Sequence, residues 1–416
     1  MIIHKIYVFV ILKIFLYNEP KGKDGRRMKV SKTLLTYILA VGVFGILNTE
    51  MGFIGILPYI AEKYDVTIVR AGLLISLFAL GVAFAGPTMP LFCSKFNRKY
   101  VMLFVLGLFT VCNLISVFAE NFNVLLAARV LPALFHPVYC SMAFTVATML
   151  EAPGQAAKGA AKINVGVSAG MVAGVPISNF LAEQISLSAS MWFFAAATAA
   201  VFVATLFVVP SMPVKEKITY GSQLAVLKKP ALWLSIIAVI FLNGSIFGVF
   251  NYAADYLASV SGFAPALVSV MLFIYGMCNI FGSMLAGNLL TSRPLSTIKI
   301  FPFAVALVYL SLFSGGNAQV FIAVLIIIWG ILGGINANIN QFWISRSAPE
   351  APDFANGLFL TAANLGCVLG TSIGGVFIDN FGMAQVVFSG LLFSIAAAVV
   401  FFIQCRRPST NPIGNL

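Results

Sequence analysis

Residues 34–60 read LLTYILAVGVFGILNTEMGFIGILPYI, and Glu50 is the one charged side chain in this run. A helix needs about 20 mostly apolar residues to cross the hydrocarbon core of a bilayer. The run is therefore long enough to span a membrane. Further runs of the same kind follow along the chain, separated by short connectors that hold Pro, Gly and charged residues. The pattern predicts an all-α polytopic membrane protein.

The composition of the whole chain agrees with a membrane setting. Charged residues make up 9% of the 416 residues, against roughly 25% in soluble domains, and hydrophobic residues make up 60%. A soluble core cannot bury this much apolar surface, which excludes an ordinary soluble enzyme, a secreted disulfide scaffold and a disordered chain. The six cysteines lie in or beside apolar runs, with no CxxC spacing, so we predict neither a disulfide framework nor a metal site.

Twelve runs qualify as membrane spans, and we number them in chain order. Their predicted limits are 34–60, 69–92, 100–119, 123–149, 157–182, 189–211, 231–256, 266–290, 297–315, 318–344, 355–378 and 384–405. The connector between spans six and seven is the longest internal one, and it divides the chain into two pseudo-symmetric lobes of six helices.

The predicted division has five parts. They are an amino-terminal cytoplasmic extension (1–33), a first six-helix lobe (34–211), a cytoplasmic linker (212–230), a second six-helix lobe (231–405) and a cytoplasmic tail (406–416). Residues 1–27 are too short and too charged for a span. We interpret them as translated from a start codon called too early, before Met28, and an interfacial helix is the alternative.

The distribution of basic residues predicts how the chain is oriented. With the amino terminus inside, the outer connectors hold only Lys63 and Arg70. Cytoplasmic connectors carry an excess of Lys and Arg, so both termini are predicted in the cytoplasm and the net charge of +12 marks orientation rather than nucleic-acid binding. The basic residues on the inner side are Lys29, Lys32, Lys95, Arg98, Lys99, Lys158, Lys162, Lys215, Lys217, Lys228, Lys229, Arg293, Lys299, Arg346, Arg406 and Arg407.

Two charged residues lie well inside predicted spans, and a histidine follows one of them. A charge at the bilayer centre costs about 2.5–3.5 kcal/mol on insertion scales, so each needs a reason. Glu50 and Arg129 lie at comparable depths, roughly 13 and 9 Å from the outer ends of spans one and four. We hypothesise that they interact, directly or through water, and that Glu50 binds and releases a proton; a permanent structural ion pair is the alternative.

His136 lies seven residues after Arg129, two helical turns deeper on the same face. Imidazole titrates near physiological pH, which suits a proton relay or a contact with a solute, although a structural histidine remains an alternative. Pro132 and Pro137 flank it and should distort the helix locally.

Uncharged polar and aromatic side chains also interrupt the spans. Amides and aromatic rings without full charges suit a neutral or amphipathic small solute. Part of this set serves interhelical hydrogen bonds instead. The candidate cavity residues are Asn48, Tyr139, Asn251, Tyr252, Tyr275, Asn279, Gln341 and Asn364.

Glycines recur every four residues in span five, at Gly166, Gly170 and Gly174, and Pro176 follows. A stripe of small residues lets two helix backbones approach closely. The stripe suits either lobes that move against each other or static helix packing. Span eleven holds a matching stripe, so the chain is predicted to be internally repeated. The glycines of that stripe are Gly366, Gly370, Gly374 and Gly375.

These residues resemble the major facilitator superfamily, specifically its twelve-span drug/proton antiporter branch, which includes bacterial sugar (arabinose-type) and nucleoside efflux permeases. The resemblance covers about residues 28–407. TEMGF at 49–53, followed by Leu57-Pro58, is similar to the signature of span one in that branch. Arg129 with His136 resembles its "R…H" stretch, and residues 170–176 resemble the antiporter motif that ends in Gly-x-Pro.

The loop after span two is a partial match to the superfamily pattern G-x-x-x-D-R-x-G-R-K. Arg98 and Lys99 match, Lys95 stands for the first Arg, and Ser94 stands where the pattern has Asp. The Asp belongs to a charge-relay latch on the cytoplasmic side, and its loss puts that latch in question. The basic cluster can still serve orientation and contact anionic lipid.

The resemblance implies alternating access between the two lobes, with spans one, four, seven and ten lining a central cavity. Proton entry would drive the export of a small organic solute such as a sugar, a nucleoside or a drug. Glu50 and Arg129 would hold the coupling site, while His136 and the amide and aromatic residues would meet the solute. An importer or uniporter of the same fold is the first alternative, and a receptor or a polytopic enzyme is less favoured.

We further predict a monomer in the cytoplasmic (inner) membrane of a bacterium. Its partners are the lipid bilayer, protons and a small-molecule substrate, and not nucleic acid. We predict no cofactor and no enzymatic activity, because the sequence offers no nucleophile–base pair and no cluster of metal ligands within the spans.

Overall fold

The computed structural model describes residues 31–214 and 220–406, and these residues form helices joined by short connectors. Within these ranges, eleven helices are long and apolar enough to cross a membrane. The interpretations of residues 1–27, of the segment 215–219 and of the tail after Arg406 lie outside the described residues.

The first lobe follows the predicted spans closely in all but one. Its helices are Lys32–Lys63 (span one), Ile68–Ala71, Leu73–Ala85 and Met89–Cys93 (the region of span two), Arg98–Phe118 (span three), Phe122–Ala133 and His136–Leu150 (span four), Ala156–Gln184 (span five) and Leu187–Val208 (span six).

The second lobe repeats this order. Its helices are Pro230–Phe250 and Ala253–Ser259 (span seven), Pro265–Ser292 (span eight), Pro294–Gly315 (span nine), Gln319–Ser347 (span ten), Pro352–Phe381 (span eleven) and Val386–Arg406 (span twelve). A short helix, Tyr220–Ala225, lies in the linker between the lobes. The side chain of Gln223 donates a hydrogen bond to Ser94 Oγ at 2.8 Å, which ties the linker to the first lobe.

Span two is broken, so the prediction of one helix over 69–92 was wrong. Its longest part, Leu73–Ala85, is 13 residues and is shorter than a bilayer-crossing helix. The break after Ala85 falls at Gly86-Pro87, where the proline ring removes a backbone donor and clashes with the preceding turn. The hydroxyl of Thr88 donates to the carbonyl of Phe84 at 3.0 Å and satisfies one backbone group at the break.

The glycine stripe of span five packs against span one within the first lobe. A Cβ on Gly166 would overlap the carbonyl of Ala40, and a Cβ on Gly170 would lie 3.0 Å from the carbonyl oxygen of Phe44. Further along, a Cβ on Gly174 would lie 3.3 Å from the Asn48 carbonyl oxygen. The two backbones therefore touch along about two helical turns, as in other close membrane-helix pairs.

The second lobe has the same contact between spans seven and eleven. Cβ atoms on Gly370 and Gly374 would meet the carbonyls of Gly244 and Gly248. Both stripes thus lie inside a lobe and hold it together, so the two lobes do not slide on these glycines. Pro176, at the end of the first stripe, lies inside the span-five helix with its side chain exposed.

Candidate functional site

Glu50 lies in the middle of span one, 13 residues before the helix ends at Lys63, or roughly 20 Å along the axis. Its side chain is 15% exposed. The neighbouring Thr49 is buried and accepts a hydrogen bond from Asn113 of span three at 3.3 Å. This bond fixes the rotation of span one, so that Glu50 faces span four.

Span four is interrupted next to the site. Its helix stops at Ala133 and restarts at His136, with Pro132 in the last turn of the first part and Pro137 in the first turn of the second. Pro137 has no N–H to continue the ladder of hydrogen bonds. In a continuous helix Arg129 and His136 would lie two turns apart on one face. The break changes this spacing, so that both side chains contact Glu50 of span one.

His136 is the direct neighbour of the Glu50 carboxylate. Its Nε2 lies 3.2 Å from Glu50 Oε2, and the His136 side chain is 5% exposed. Cys140 Sγ lies 3.8 Å from the same nitrogen, and the ring of Phe78 packs edge-on against the imidazole. A carboxylate and an imidazole at this distance can share or pass a proton.

Arg129 contacts the backbone of Glu50 rather than its carboxylate. Its Nη2 donates to the Glu50 carbonyl oxygen at 2.7 Å. The guanidinium lies between two rings, 4.1 Å from the centroid of Phe53 and 4.2 Å from that of Phe78. Nε and Nη1 of this buried side chain have no hydrogen-bond partner among the described residues. This arrangement fixes a positive charge beside the backbone of Glu50. The carboxylate of Glu50 contacts His136 instead.

The second lobe presents polar groups from spans seven and eleven. The amide of Asn251 donates to Thr371 Oγ1 at 2.6 Å and contacts Cys367 Sγ at 3.7 Å. Tyr252 donates its hydroxyl hydrogen to the carbonyl of Thr371 at 3.0 Å. Asn251, Tyr252, Cys367 and Thr371 thus form one polar group within the second lobe.

The other predicted cavity residues have different surroundings. Asn48 is fully buried, and its amide has no partner among the described residues. Tyr139 is buried in the first lobe against Gly42. Tyr275 stacks on Phe250 with ring centroids 4.4 Å apart.

The remaining candidates make hydrogen bonds with partners other than Glu50. Gln341 donates to Asn356 Oδ1 at 2.8 Å, and Asn364 donates to the carbonyl of Leu360 in its own helix. Asn279 accepts from Ser168 of the opposite lobe at 2.6 Å. These three amides therefore have structural partners.

The loop after span two makes a charge pair with the second lobe. Arg98 Nη2 lies 3.1 Å from Asp353 Oδ2, and the two side chains are 15% and 5% exposed. Ser141 also donates to the backbone carbonyl of Asp353. Lys99 instead reaches the carbonyl of Leu206 in its own lobe at 2.8 Å, and Lys95 is half-buried in the loop.

Further hydrogen bonds join the two lobes on the same side of the molecule as the Arg98–Asp353 pair. They extend from the beginning of span eleven to about the middle of span five. They are Asn356 Nδ2 to Thr145 Oγ1 (3.2 Å), Asn164 Nδ2 to Asn338 Oδ1 (3.0 Å) and the Ser168–Asn279 bond. The basic residues predict that this side is cytoplasmic. On this side, hydrogen bonds and an ion pair close the space between the lobes.

Several residues of this site were not among the predicted site residues. Phe53 could have been selected from the sequence, because it follows Glu50 by three positions and shares its helix face. Asp353 follows the proline that begins span eleven, which is an ordinary position for an acidic residue at a helix start. Only the fold brings it to Arg98. Thr371 and Cys367 carry no signal that separates them from other small residues in spans.

The fold and the site together define a polytopic membrane protein of two six-helix lobes, with a carboxylate–imidazole pair at its centre. The family model of the Major Facilitator Superfamily matches residues 39–371. The chain belongs to this superfamily, whose members are transporters of small molecules.

Three similar proteins illustrate the match. The chain is 30% identical over 367 residues to the uncharacterized MFS-type transporter YtbD of Bacillus subtilis (strain 168), covering 87% of this chain and 93% of YtbD. It is 27% identical over 355 residues to a probable sugar efflux transporter of Helicobacter acinonychis (strain Sheeba), covering 85% and 90%. The crystal structure of the human organic anion transporter MFSD10 (TETRAN) aligns with a TM-score of 0.74 at 15% identity, covering 90% and 100%, and concerns the fold alone.

Proposed function

We propose that the protein exports a small, polar organic solute in exchange for protons, with Glu50 as the proton-binding group. The observation that carries this proposal is the contact of 3.2 Å between Glu50 and His136 in the middle of the membrane region. Placing an ionisable side chain in the membrane costs free energy, so a carboxylate kept there is expected to have a function. His136 beside it can bind and release a proton, which supports proton exchange as that function.

The partners of Glu50 suit a reversible charge. Arg129 is held by a backbone carbonyl and two aromatic rings, so it stays in place whether or not the carboxyl carries a proton. When Glu50 takes up a proton, its attraction to His136 and Arg129 weakens. A ligand shifts a conformational equilibrium only if its affinity differs between the two states. The proton is such a ligand here, so Glu50 has to make different contacts in the inward-open and outward-open states.

The solute would bind between Glu50 of the first lobe and the amide and hydroxyl groups of Asn251 and Thr371 of the second lobe. Uncharged donors and acceptors there suit hydroxyl-rich or amide-containing solutes. The similarity to a probable sugar efflux transporter supports this class, with sugars as the first candidates. The contacts between Arg98 and Asp353 support a cytoplasmic side that is closed while the outer side admits protons.

The test uses protein reconstituted in liposomes that contain a pH-sensitive dye. A panel of sugars, nucleosides and cationic drugs is added, and we expect one class to drive proton movement opposite to solute movement. Glu50→Gln should abolish the proton signal while solute counterflow continues, because Gln keeps the size and the hydrogen-bonding oxygen of the side chain. Glu62→Gln, an exposed change in the same helix, is the matched control.

Three outcomes would contradict the proposal. Proton movement in the same direction as the solute would make the protein an importer, and counterflow without any proton signal in the unmodified protein would make it a uniporter. Unchanged coupling in Glu50→Gln would remove Glu50 from the mechanism.

A further inference from the structure

A groove runs along the outer surface of the second lobe, between spans nine and twelve. It encloses about 370 Å³ and is lined by Pro302, Phe303 and Ala306 on one side and by Ile395, Val399 and Arg406 on the other. Phe303, Ile395 and Val399 are all more than half exposed. Because these helices face away from the first lobe, the groove opens toward the membrane lipid.

The groove follows from small residues and a proline on facing helices. Pro302 cannot donate a backbone hydrogen bond, and its own carbonyl accepts one from Ser394 of span twelve at 2.7 Å. The small side chains of Ala306 and Ala398 line the groove and leave it deep. Phe303 and Phe402 meet edge-to-face with centroids 6.1 Å apart and form a ridge beside it. The shape is therefore a fixed part of the helix packing.

One end of the groove is basic. Arg406 lies at its mouth, at the end of span twelve. Lys299 lies one turn before Phe303, and Arg406 lies one turn after Phe402. Since these two rings meet and the helices run in opposite directions, both basic residues lie toward the same end of the groove. From Arg406 to Ser394 the groove covers 12 residues, or roughly 18 Å at 1.5 Å per residue. One leaflet of the hydrocarbon core is about 15 Å thick, half of the whole core.

We propose that this groove holds one acyl chain of an anionic phospholipid, whose phosphate is bound by Arg406 and Lys299. Lipid tails are as apolar as the groove lining, so the groove contributes only a fit to the shape of an acyl chain. A preference for one lipid over another has to come from the charge of its head group. Basic pockets between helices at the membrane surface recognise anionic head groups in this way. The site lies on the outer surface of the second lobe and includes none of the residues around Glu50.

Native mass spectrometry of the full, detergent-solubilised chain tests this proposal. The protein is equilibrated with dipalmitoyl phosphatidylglycerol or with phosphatidylcholine of the same chains. We expect one phosphatidylglycerol to be retained in preference. The double variant Lys299→Gln with Arg406→Gln should weaken its binding about 30-fold, about fivefold for each basic residue, and leave phosphatidylcholine unchanged.

Two further variants separate charge from shape. Val399→Trp fills the groove from an exposed position, so it should fold and should weaken the retention of both lipids. Lys158→Gln removes a positive charge from the start of span five in the other lobe and should change nothing. Equal retention of the two lipids by the unmodified protein, or an equal loss in Lys158→Gln, would overturn the proposal and leave only non-selective boundary lipid.

Discussion

Arg129 is a buried cation whose partners are two aromatic faces and one backbone carbonyl. A flat guanidinium can stack between two rings and still donate a hydrogen bond in its own plane, whereas the ammonium group of lysine is a compact point charge. The position of Glu50 relative to His136 depends on this contact, because Arg129 fixes the backbone of the residue that carries the carboxylate.

Replacing Arg129 with lysine should therefore destabilise the site although the charge is kept. We expect a loss of about 1–3 kcal/mol in unfolding free energy from the two ring contacts, together with weaker proton coupling. Thermal unfolding in detergent and the dye-loaded liposome measurement check the two effects. Arg70→Lys, which changes an exposed Arg near the single ring of Phe122, is the control. An Arg129→Lys variant as stable and as well coupled as the original protein would contradict this account.

At the scale of helices, the glycine contacts decide which spans touch. Gly166 leaves no room for a side chain, because a Cβ would overlap the Ala40 carbonyl, and backbone cannot move aside as a flexible side chain can. Gly107 in span three is different, since a Cβ there would lie 3.4 Å from the ring of Phe202 in ordinary contact. Two glycines inside transmembrane helices should thus respond in opposite ways.

Gly166→Ala should lower stability by about 1–3 kcal/mol or prevent folding, as overpacking does in tightly packed cores. Gly107→Ala should be neutral or slightly stabilising, because alanine favours the helix. The melting temperature by fluorescence-detected size-exclusion chromatography compares the two variants directly. Similar melting temperatures for both would mean that the backbones of spans one and five are not in contact.

The sequence predicts the long helices well because each bilayer-crossing run is a local property of about 20 residues. Span two fails this test, because the Gly86-Pro87 break ends a helix that hydropathy alone continues. The same limit applies to the site. Glu50 and His136 are rare residue types inside apolar runs and can be found individually, whereas the Arg98–Asp353 pair joins positions 255 residues apart and depends on the packing of two lobes.

At the scale of the whole molecule, the Arg98–Asp353 pair has to break whenever the lobes separate on that side. The superfamily pattern has an Asp in the loop itself, and Ser94 stands in its place, so here the acid comes from the other lobe. A hydrogen bond to a charged group contributes about 1.5–3 kcal/mol, which corresponds to a ten- to hundredfold change in the ratio of closed to open molecules.

Arg98→Ala should therefore shift the population toward the state that is open on this side. Spin labels at the exposed positions Phe96 and Ser292, one on each lobe, report the change as a longer distance in pulsed electron resonance. The charge reversal Arg98→Asp with Asp353→Arg should restore the short distance only in part, because a cation in the first turn of span eleven opposes the helix dipole. An unchanged distance in Arg98→Ala would show that the pair contributes nothing to closure.

The glycine contact between spans one and five has a consequence for biosynthesis. Gly166 follows its partner Ala40 by 126 residues. At about 5–20 residues per second, a ribosome needs roughly 6–25 seconds to make that stretch. Span one thus waits in the bilayer for this partner until span five arrives. Glu50 meets Arg129 of span four earlier, because Arg129 follows it by 79 residues, or roughly 4–16 seconds of synthesis. During those seconds the insertion machinery has to shield a helix that carries a charge.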